Sequence, residues 1–266
     1  TCHDPKKGWS DGDPTSTGIK GQKGTRNAPT VINSTYMNLQ FWDGRAKNLE
    51  EQALGPQTNP IEMGNINHEG VVENLKKIPG YVELFQKAFG GEITKDRIVQ
   101  AIASFERTIL SGNSKYDRFV AGDTKAMNAS EIRGKDLFFG KARCVVCHNG
   151  ATFSDSNFHN LGVGMSAAKP DLGRYEQSKQ EKDKGAFKTP GLRDITKQAP
   201  YMHDGSQKTL EEVIEFYDKG GEANPTLSPL VTKLNLTPQE KSDLVAFMKA
   251  LDGAPYPMVK EPTLPK

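Results

Sequence analysis

The sequence predicts a mainly α-helical protein, and three observations support this fold class. Several segments repeat apolar side chains at the three- and four-residue spacing of amphipathic helices. Many of these segments begin at a residue type that caps helix N-termini. No segment shows the alternation of apolar and polar residues that indicates a strand. Helices joined by long polar loops are therefore the expected framework.

The first half of the chain contains loops followed by helices. The first 70 residues are rich in Gly, Pro, Asn and Lys and have no sustained period, so we expect mostly loops there. Residues 71–89 have helical spacing with a break near Pro79. From Ile98 the apolar residues recur at i+3, i+4, i+7 and i+11, which indicates a helix with Thr94 as its N-cap.

The second half continues the helical pattern. A capping box at Asn128 should begin a helix that runs to Phe139. Residues 149–190 form a long, polar, glycine-rich stretch, which is typical of a functional or cofactor-facing loop. Two more helices are expected to begin at Thr209 and Thr237, the first ending at Gly220. The proline-rich tail after residue 252 should be extended.

The most informative segment is residues 144–148, which read C-x-x-C-H. This motif is typical of covalent c-type haem attachment. The thiols of Cys144 and Cys147 lie on one helical turn and can form thioethers with both haem vinyl groups, while His148 binds the iron. The alternatives are a redox-active C-x-x-C beside a chance histidine, or half of a zinc site. Neither is favoured, because no βαβ pattern surrounds the motif and no second C-x-x-C exists.

The third cysteine indicates a second haem. Cys2 directly precedes His3, as in the second half of the same motif, and the missing cysteine would lie just upstream of residue 1. We therefore expect the sequence to lack part of its N-terminus. A free surface thiol is the alternative. With Cys2 and Cys147 lying 145 residues apart, the two motifs suggest a distant duplication.

Composition narrows the class of protein further. The 266 residues suffice for one large or two ordinary domains, and two haems favour two. The net charge of +2 gives no argument for nucleic-acid binding, and no apolar run is long enough to span a membrane. Because bacteria attach haem to C-x-x-C-H outside the cytoplasm, we expect a periplasmic location.

Segments along nearly the whole chain resemble the bacterial di-haem cytochrome c peroxidase and MauG family. They are residues 26–30, 41–46, 49–52, 55–56, 59–60, 62–64, 187–193 and 200–205, in family order. In this family, two c-type cytochrome domains face each other across a calcium ion. One haem reacts with peroxide, and the other stores or relays electrons. The resemblance implies a peroxidatic domain at 1–117, joined by the tail 253–266, and an electron-transfer domain at 118–252.

The resemblance also implies roles for individual residues of the peroxidatic site. His3 would be the proximal iron ligand, with Cys2 attaching the haem. Glu62 and Gln52 would lie on the open distal face, with Pro56 shaping the pocket. A carboxylate suits this position because peroxide must lose one proton and regain it on the other oxygen before the O–O bond breaks. An ordinary surface acid is the alternative for Glu62.

Three further roles follow from the same resemblance. Trp42 would lie between the haems and relay electrons, the alternative being a core tryptophan. Calcium would be bound by the side-chain oxygen of Asn27 and the backbone carbonyls of Gln198 and Pro200, since calcium prefers hard oxygen ligands. His203 would lie near the second haem or be structural.

Two departures from the typical peroxidases are informative. Their second haem has a methionine ligand at the position of Tyr217, seventeen residues after Pro200. A phenolate is a hard donor that lowers the reduction potential, and the MauG group has this ligand; a core tyrosine is the alternative, with Met202 and Met248 as substitute ligands. Residues 15–25 also lack the histidine that often caps the peroxidatic iron. We therefore expect the peroxidatic iron to be open in the fully oxidised protein and to need no reductive activation. The alternative is that His68 caps this iron in place of the missing histidine.

The expected function is reduction of hydrogen peroxide to water, with electrons from a small cytochrome c or a cupredoxin-type copper protein. One alternative is a MauG-like enzyme that uses a bis-ferryl state to oxidise tyrosine or tryptophan on a partner protein. Tyr217 favours it, whereas Ala142, standing where a surface tryptophan relay is expected, weakens it. A plain di-haem electron-transfer cytochrome is the third possibility, against which Glu62 and Gln52 argue. Family members are often homodimers.

Overall fold

The computed structural model describes residues 2–254 and 261–266. The described part is mainly helix and loop, which confirms the predicted fold class. The helices are α1 (Leu49–Thr58), α2 (His68–Lys76), α3 (Pro79–Phe89), α4 (Lys95–Glu106), α5 (Lys115–Val120), α6 (Ala129–Phe139), α7 (Tyr175–Ser178), α8 (Leu210–Asp218) and α9 (Pro238–Lys249). Two short antiparallel strands, β1 (Phe158–Asn160) and β2 (Ala186–Lys188), pair within the long polar loop.

The predicted helix starts are confirmed by side-chain caps. The side chains of Thr94, Asn128, Thr209 and Thr237 each accept a hydrogen bond from the backbone N–H three residues later. Such caps satisfy one of the N–H groups that a helix leaves unpaired at its start. The predicted break between α2 and α3 is also present, with Pro79 in the first turn of α3.

Most of residues 2–67 are loop or short turns, as expected, but the sequence did not predict helix α1. This helix starts at Asn48, whose side chain caps it, and buries Leu49, Ala53 and Gln57. These residues lie on one face of the helix, but Gln57 is polar and Pro56 stands inside the helix. The apolar residues therefore do not repeat regularly enough to predict a helix from the sequence. The helix is therefore stabilised by packing against α4 rather than by a clear amphipathic pattern.

The larger core lies in the C-terminal half, where α6 packs on α9. Phe138 of α6, Phe153 and Phe247 of α9 form edge-to-face ring contacts at its centre. The helices approach closely at Gly134, where an added Cβ would lie 1.9 Å from the carbonyl oxygen of Asp243. The carboxylate of Asp243 also receives two hydrogen bonds from Arg133, which fixes the two helices in register.

Replacing Gly134 with alanine should destabilise the protein. Alanine is the better helix former, but its Cβ would overlap the α9 backbone and force the helices apart, at a cost of about 1–3 kcal/mol. The measurement is the midpoint of denaturant unfolding. Gly112→Ala is the matched control, because nothing lies within 4 Å of its added Cβ. A Gly134→Ala protein as stable as the control would contradict the close approach.

The N-terminal half has smaller clusters, and the end of the chain contacts it. Trp9 packs with Val31, Ile32 and Ile109, and the backbone N–H of Gly80 donates to the carbonyl of residue 266 at 3.1 Å. Part of the predicted extended tail, residues 255–260, lies outside the described residues. Across the described ranges, no helix has the length and apolar composition needed to cross a bilayer.

Candidate functional site

A single large cavity runs through the described part of the protein and contains most of the predicted site residues. It holds ≈ 2480 Å³ of space between protein atoms, including its open mouths. Its walls are mainly apolar and include both motif histidines, His3 and His148, together with Trp42 and Tyr217. The two histidines that are far apart in sequence thus share one cavity.

The C-x-x-C-H segment follows α6 directly. Arg143 takes a left-handed conformation (φ 55°), after which Cys144–Val146 form one 3₁₀ turn that brings both thiols and His148 together. The Nδ1 atom of His148 lies 3.0 Å from the carbonyl oxygen of Phe153, and burial lowers its pKa. The ring is therefore held neutral, with Nε2 available as a donor atom for iron.

His3 has the same arrangement in the N-terminal half. Its Nδ1 atom lies 3.0 Å from the carbonyl oxygen of Trp9, and burial lowers the pKa of the ring. Histidines that bind metals usually have their second ring nitrogen fixed in this way. Two histidines, each beside a free cysteine and each held by a backbone carbonyl, fit two covalently attached haems.

Tyr217 lies on the buried side of α8 and faces the cavity. Burial raises the pKa of its phenol, and the nearby thiols of Cys144 and Cys147 raise it further. Its hydroxyl has no hydrogen-bond partner among the residues that the structure describes. Because the side chain lines the cavity and its hydroxyl is not engaged by another described residue, it fits a ligand of the second iron. Met202 and Met248 line the same cavity.

The three predicted distal residues lie on or just after α1, but only one lines the cavity. Gln52 is part of the cavity wall, whereas Pro56 and Glu62 are not. Glu62 follows in a turn where Asn59 donates to its Oε1 atom at 2.8 Å. Burial raises the pKa of Glu62, although Arg45 and Asn59 oppose this. Its charge also raises the pKa of the Cys2 thiol, which places Glu62 near the first attachment motif.

The histidine-free loop at residues 15–25 packs on the turn that holds Glu62. The backbone N–H of Ile19 donates to the carbonyl of Glu62 at 2.8 Å, and Gly18 approaches Ile61 so closely that an added Cβ would lie 1.8 Å from its carbonyl oxygen. His68 does not line the cavity, and its Nε2 atom is 3.1 Å from the carbonyl of Leu54. The geometry gives no support to His68 as a substitute cap.

Trp42 and His203 lie side by side in the cavity wall. The indole Nε1–H of Trp42 donates to the carbonyl of Asn27 at 2.9 Å, and its ring meets His203 edge-on at 6.5 Å. His203 stacks on Phe187 with ring centroids 3.6 Å apart, and burial lowers its pKa to about 4. Both aromatic groups are thereby fixed in position, and His203 is neutral near pH 7.

The three expected calcium ligands also line the cavity. The side-chain amide of Asn27 donates to the carbonyl of Asp13 at 2.8 Å, which leaves Oδ1 available. Within the described ranges, the backbone carbonyls of Gln198 and Pro200 accept no hydrogen bond. These oxygens are of the hard type that calcium takes, and each belongs to a residue of the cavity wall.

Sequence reasoning missed two charged residues of this cavity, Glu106 at the end of α4 and Lys188 at the end of β2. Burial raises the pKa of Glu106 to about 7 and lowers the pKa of Lys188 to about 8. Acidic residues are numerous in this chain, so no pattern distinguished Glu106, and the resemblance of residues 187–193 gave Lys188 no individual role. His159 also lines the cavity, and its Nε2 atom lies 2.9 Å from a carboxylate oxygen of Asp155.

Comparison with known proteins gives matches along the chain. The family model described as "Di-haem cytochrome c peroxidase" matches residues 1–125, and that described as "Cytochrome c" matches residues 132–252. The methylamine utilization protein MauG of Methylorubrum extorquens is 42% identical, over 96% of this chain and 72% of the relative. The cytochrome c551 peroxidase of Nitrosomonas europaea is 41% identical, over 100% of this chain and 76% of the relative. The crystal structure of a MauG-like protein associated with microbial copper homeostasis superposes with a TM-score of 0.87 at 34% identity, covering 95% of this chain and 82% of that one.

Proposed function

Because this chain belongs to the di-haem cytochrome c peroxidase and MauG family, we propose that it reduces hydrogen peroxide to water with electrons from a small redox protein. The balanced reaction takes up two electrons and two protons and releases two molecules of water. The observation that supports it best is the one cavity lined by His3, His148, Trp42 and Tyr217. Two haems bound in this one cavity would be separated by shared wall residues, through which electrons could pass.

The chain's own residues would hold the two haems in distinct ways. Cys2 and His3 would hold the peroxidatic haem, whereas Cys144, Cys147, His148 and Tyr217 would hold the second haem. When bound, the haems supply the iron redox chemistry and store the oxidising equivalents. Trp42, fixed by its hydrogen bond to Asn27, bridges the space between them.

Proton transfer is assigned to Glu62, with Gln52 orienting the peroxide. The carboxylate of Glu62 would take a proton from one oxygen of the peroxide and return it to the other oxygen, which leaves as water. Asn59 holds the Oε1 atom, which leaves Oε2 as the exchanging atom. The raised pKa suits this task, because a group that both accepts and donates a proton works best near the operating pH.

The remaining assignments extend this proposal. Residues 1–117 form the peroxidatic domain and 118–252 the electron-transfer domain, with a calcium ion held by Asn27, Gln198 and Pro200. The contact of residue 266 with Gly80 of α3 supports a tail that returns to the first domain. The protein works in the periplasm, where a small cytochrome c or a cupredoxin donates electrons, and a homodimer is the proposed assembly.

A second candidate function is oxidation of tyrosine or tryptophan on a partner protein. Tyr217 favours it, because a phenolate stabilises oxidised iron and lets both haems share the oxidation. The absence of a tryptophan at Ala142 opposes it. Ala142 is also only 5% exposed, so this position offers no surface from which a partner could be oxidised.

The function is tested by adding one equivalent of hydrogen peroxide to the fully oxidised protein without prior reduction. We expect rapid loss of both ferric EPR signals, followed by oxidation of two molecules of reduced cytochrome c per peroxide. The reason is the loop at residues 15–25, which brings no imidazole to the peroxidatic iron. If the protein reacts only after one electron is added, the prediction of an open peroxidatic iron is wrong. If it never consumes peroxide, the proposed peroxidase function is wrong.

A further inference from the structure

Lys188 is the last residue of β2 and lies in the cavity wall beside the proposed electron relay. Its backbone N–H donates to the carbonyl of Trp42 at 2.8 Å, and it pairs with Phe158 across the two strands. The strand pairing and this hydrogen bond fix the backbone of Lys188 between the two halves of the protein. Its side chain is therefore presented from a rigid position.

The ammonium group of Lys188 has no counterion among the residues that the structure describes. It makes no hydrogen bond or ion pair with any residue that the structure describes, and burial alone lowers its pKa to about 8. A buried cation is costly unless an anion pairs with it. The side chain is nevertheless only half-buried by surface area, so the group borders open space in the cavity rather than protein.

The other charged groups that line the cavity differ from Lys188 in their partners or in their exposure. Arg193 already donates to both carboxylate oxygens of Asp117, at 2.6 and 2.8 Å. Arg143 is exposed. Glu106 is the only carboxylate among the residues that line the cavity, and the charges that affect its pKa are those of Arg107 and Glu50, not Lys188.

We propose that Lys188 binds a haem propionate, pairing its ammonium group with the carboxylate at the edge of the porphyrin. The residues around it fit haem, and haem is the one cofactor of this family that brings carboxylates into such a cavity. The pair satisfies the buried cation and keeps a positive charge next to one haem. The inference rests on occupancy of the cavity by haem and is independent of whether peroxide is turned over.

The test is potentiometric titration of the holoprotein and its Lys188→Gln variant, following each haem by its own absorption and EPR signals. Loss of a positive charge beside a haem favours the ferric state, so the midpoint potential of one haem should fall while both haems remain bound. Lys182→Gln is the matched control, because it removes the same charge from an exposed site. The haem whose potential shifts is the one whose propionate pairs with Lys188.

Two further variants keep the test decisive. Lys188→Arg retains the charge, so its potential should stay close to that of the unaltered protein; an arginine variant that behaves like the glutamine variant would mean that packing, not charge, is responsible. If the glutamine variant fails to retain haem, Lys188→Met keeps the aliphatic stem without the charge. Unchanged potentials of both haems in a fully loaded glutamine or methionine variant would overturn the proposal.

Discussion

Replacing Glu62 with glutamine should lower kcat/KM for hydrogen peroxide by about 10²- to 10⁴-fold, the range that a positioned acid–base group contributes. Both haems should remain bound, because Glu62 belongs to neither haem-attachment motif. Glutamine preserves the size of the side chain and can still bond to Asn59, but it cannot accept a proton from peroxide. The loss should therefore appear in turnover and not in haem content or in the reduction potentials.

The pH profile separates proton transfer from a merely structural role. Glu62 must be ionised to take the first proton, so kcat/KM should fall as the pH drops through its pKa. Because burial raises that pKa, the decline should begin at a higher pH than for an exposed glutamate, and it should vanish in the glutamine variant. Glu69→Gln, which alters an exposed carboxylate on α2, is the control. Unchanged turnover in the Glu62 variant would refute the assigned proton shuttle.

Much of the helical framework could be predicted because its determinants are local. The caps at Thr94, Asn128, Thr209 and Thr237 are local sequence features, and each begins a helix in the structure. Helix α1 was missed because its stability comes from tertiary packing, which leaves no apolar period. The strands β1 and β2 are three residues long, too short for an alternating pattern.

The candidate site divides in the same way. The C-x-x-C-H motif is a contiguous pattern and could be read directly, whereas the carbonyls that hold His3 and His148 depend on how the following loop folds back. Lys188 lies in the family-like segment 187–193, but its role could not be read there, since its place on the cavity wall and its lack of a partner among the described residues depend on the fold. Sequence patterns thus indicate the cofactor, while three-dimensional packing determines which charges surround it.

Tyr217→Met should raise the reduction potential of the second haem, by part of the range of about 0.8 V that axial ligands cover. The phenolate is an anionic donor that stabilises ferric iron, and a thioether favours ferrous iron. Tyr217 occupies the right place for this exchange, because it lies on the buried side of α8 and its hydroxyl has no partner among the described residues. Spectroelectrochemical titration measures the potential directly.

The two methionines of the cavity wall provide the controls. Met202→Leu and Met248→Leu should leave the potential unchanged, because each keeps an apolar side chain of similar volume where no iron ligand is lost. If either leucine variant shifts the potential while Tyr217→Met does not, methionine is the ligand and Tyr217 is a core residue. If Tyr217→Met alone shifts it, the second haem has a donor that stabilises its oxidised states. That result would explain how two haems in one cavity share the oxidising equivalents of a single peroxide.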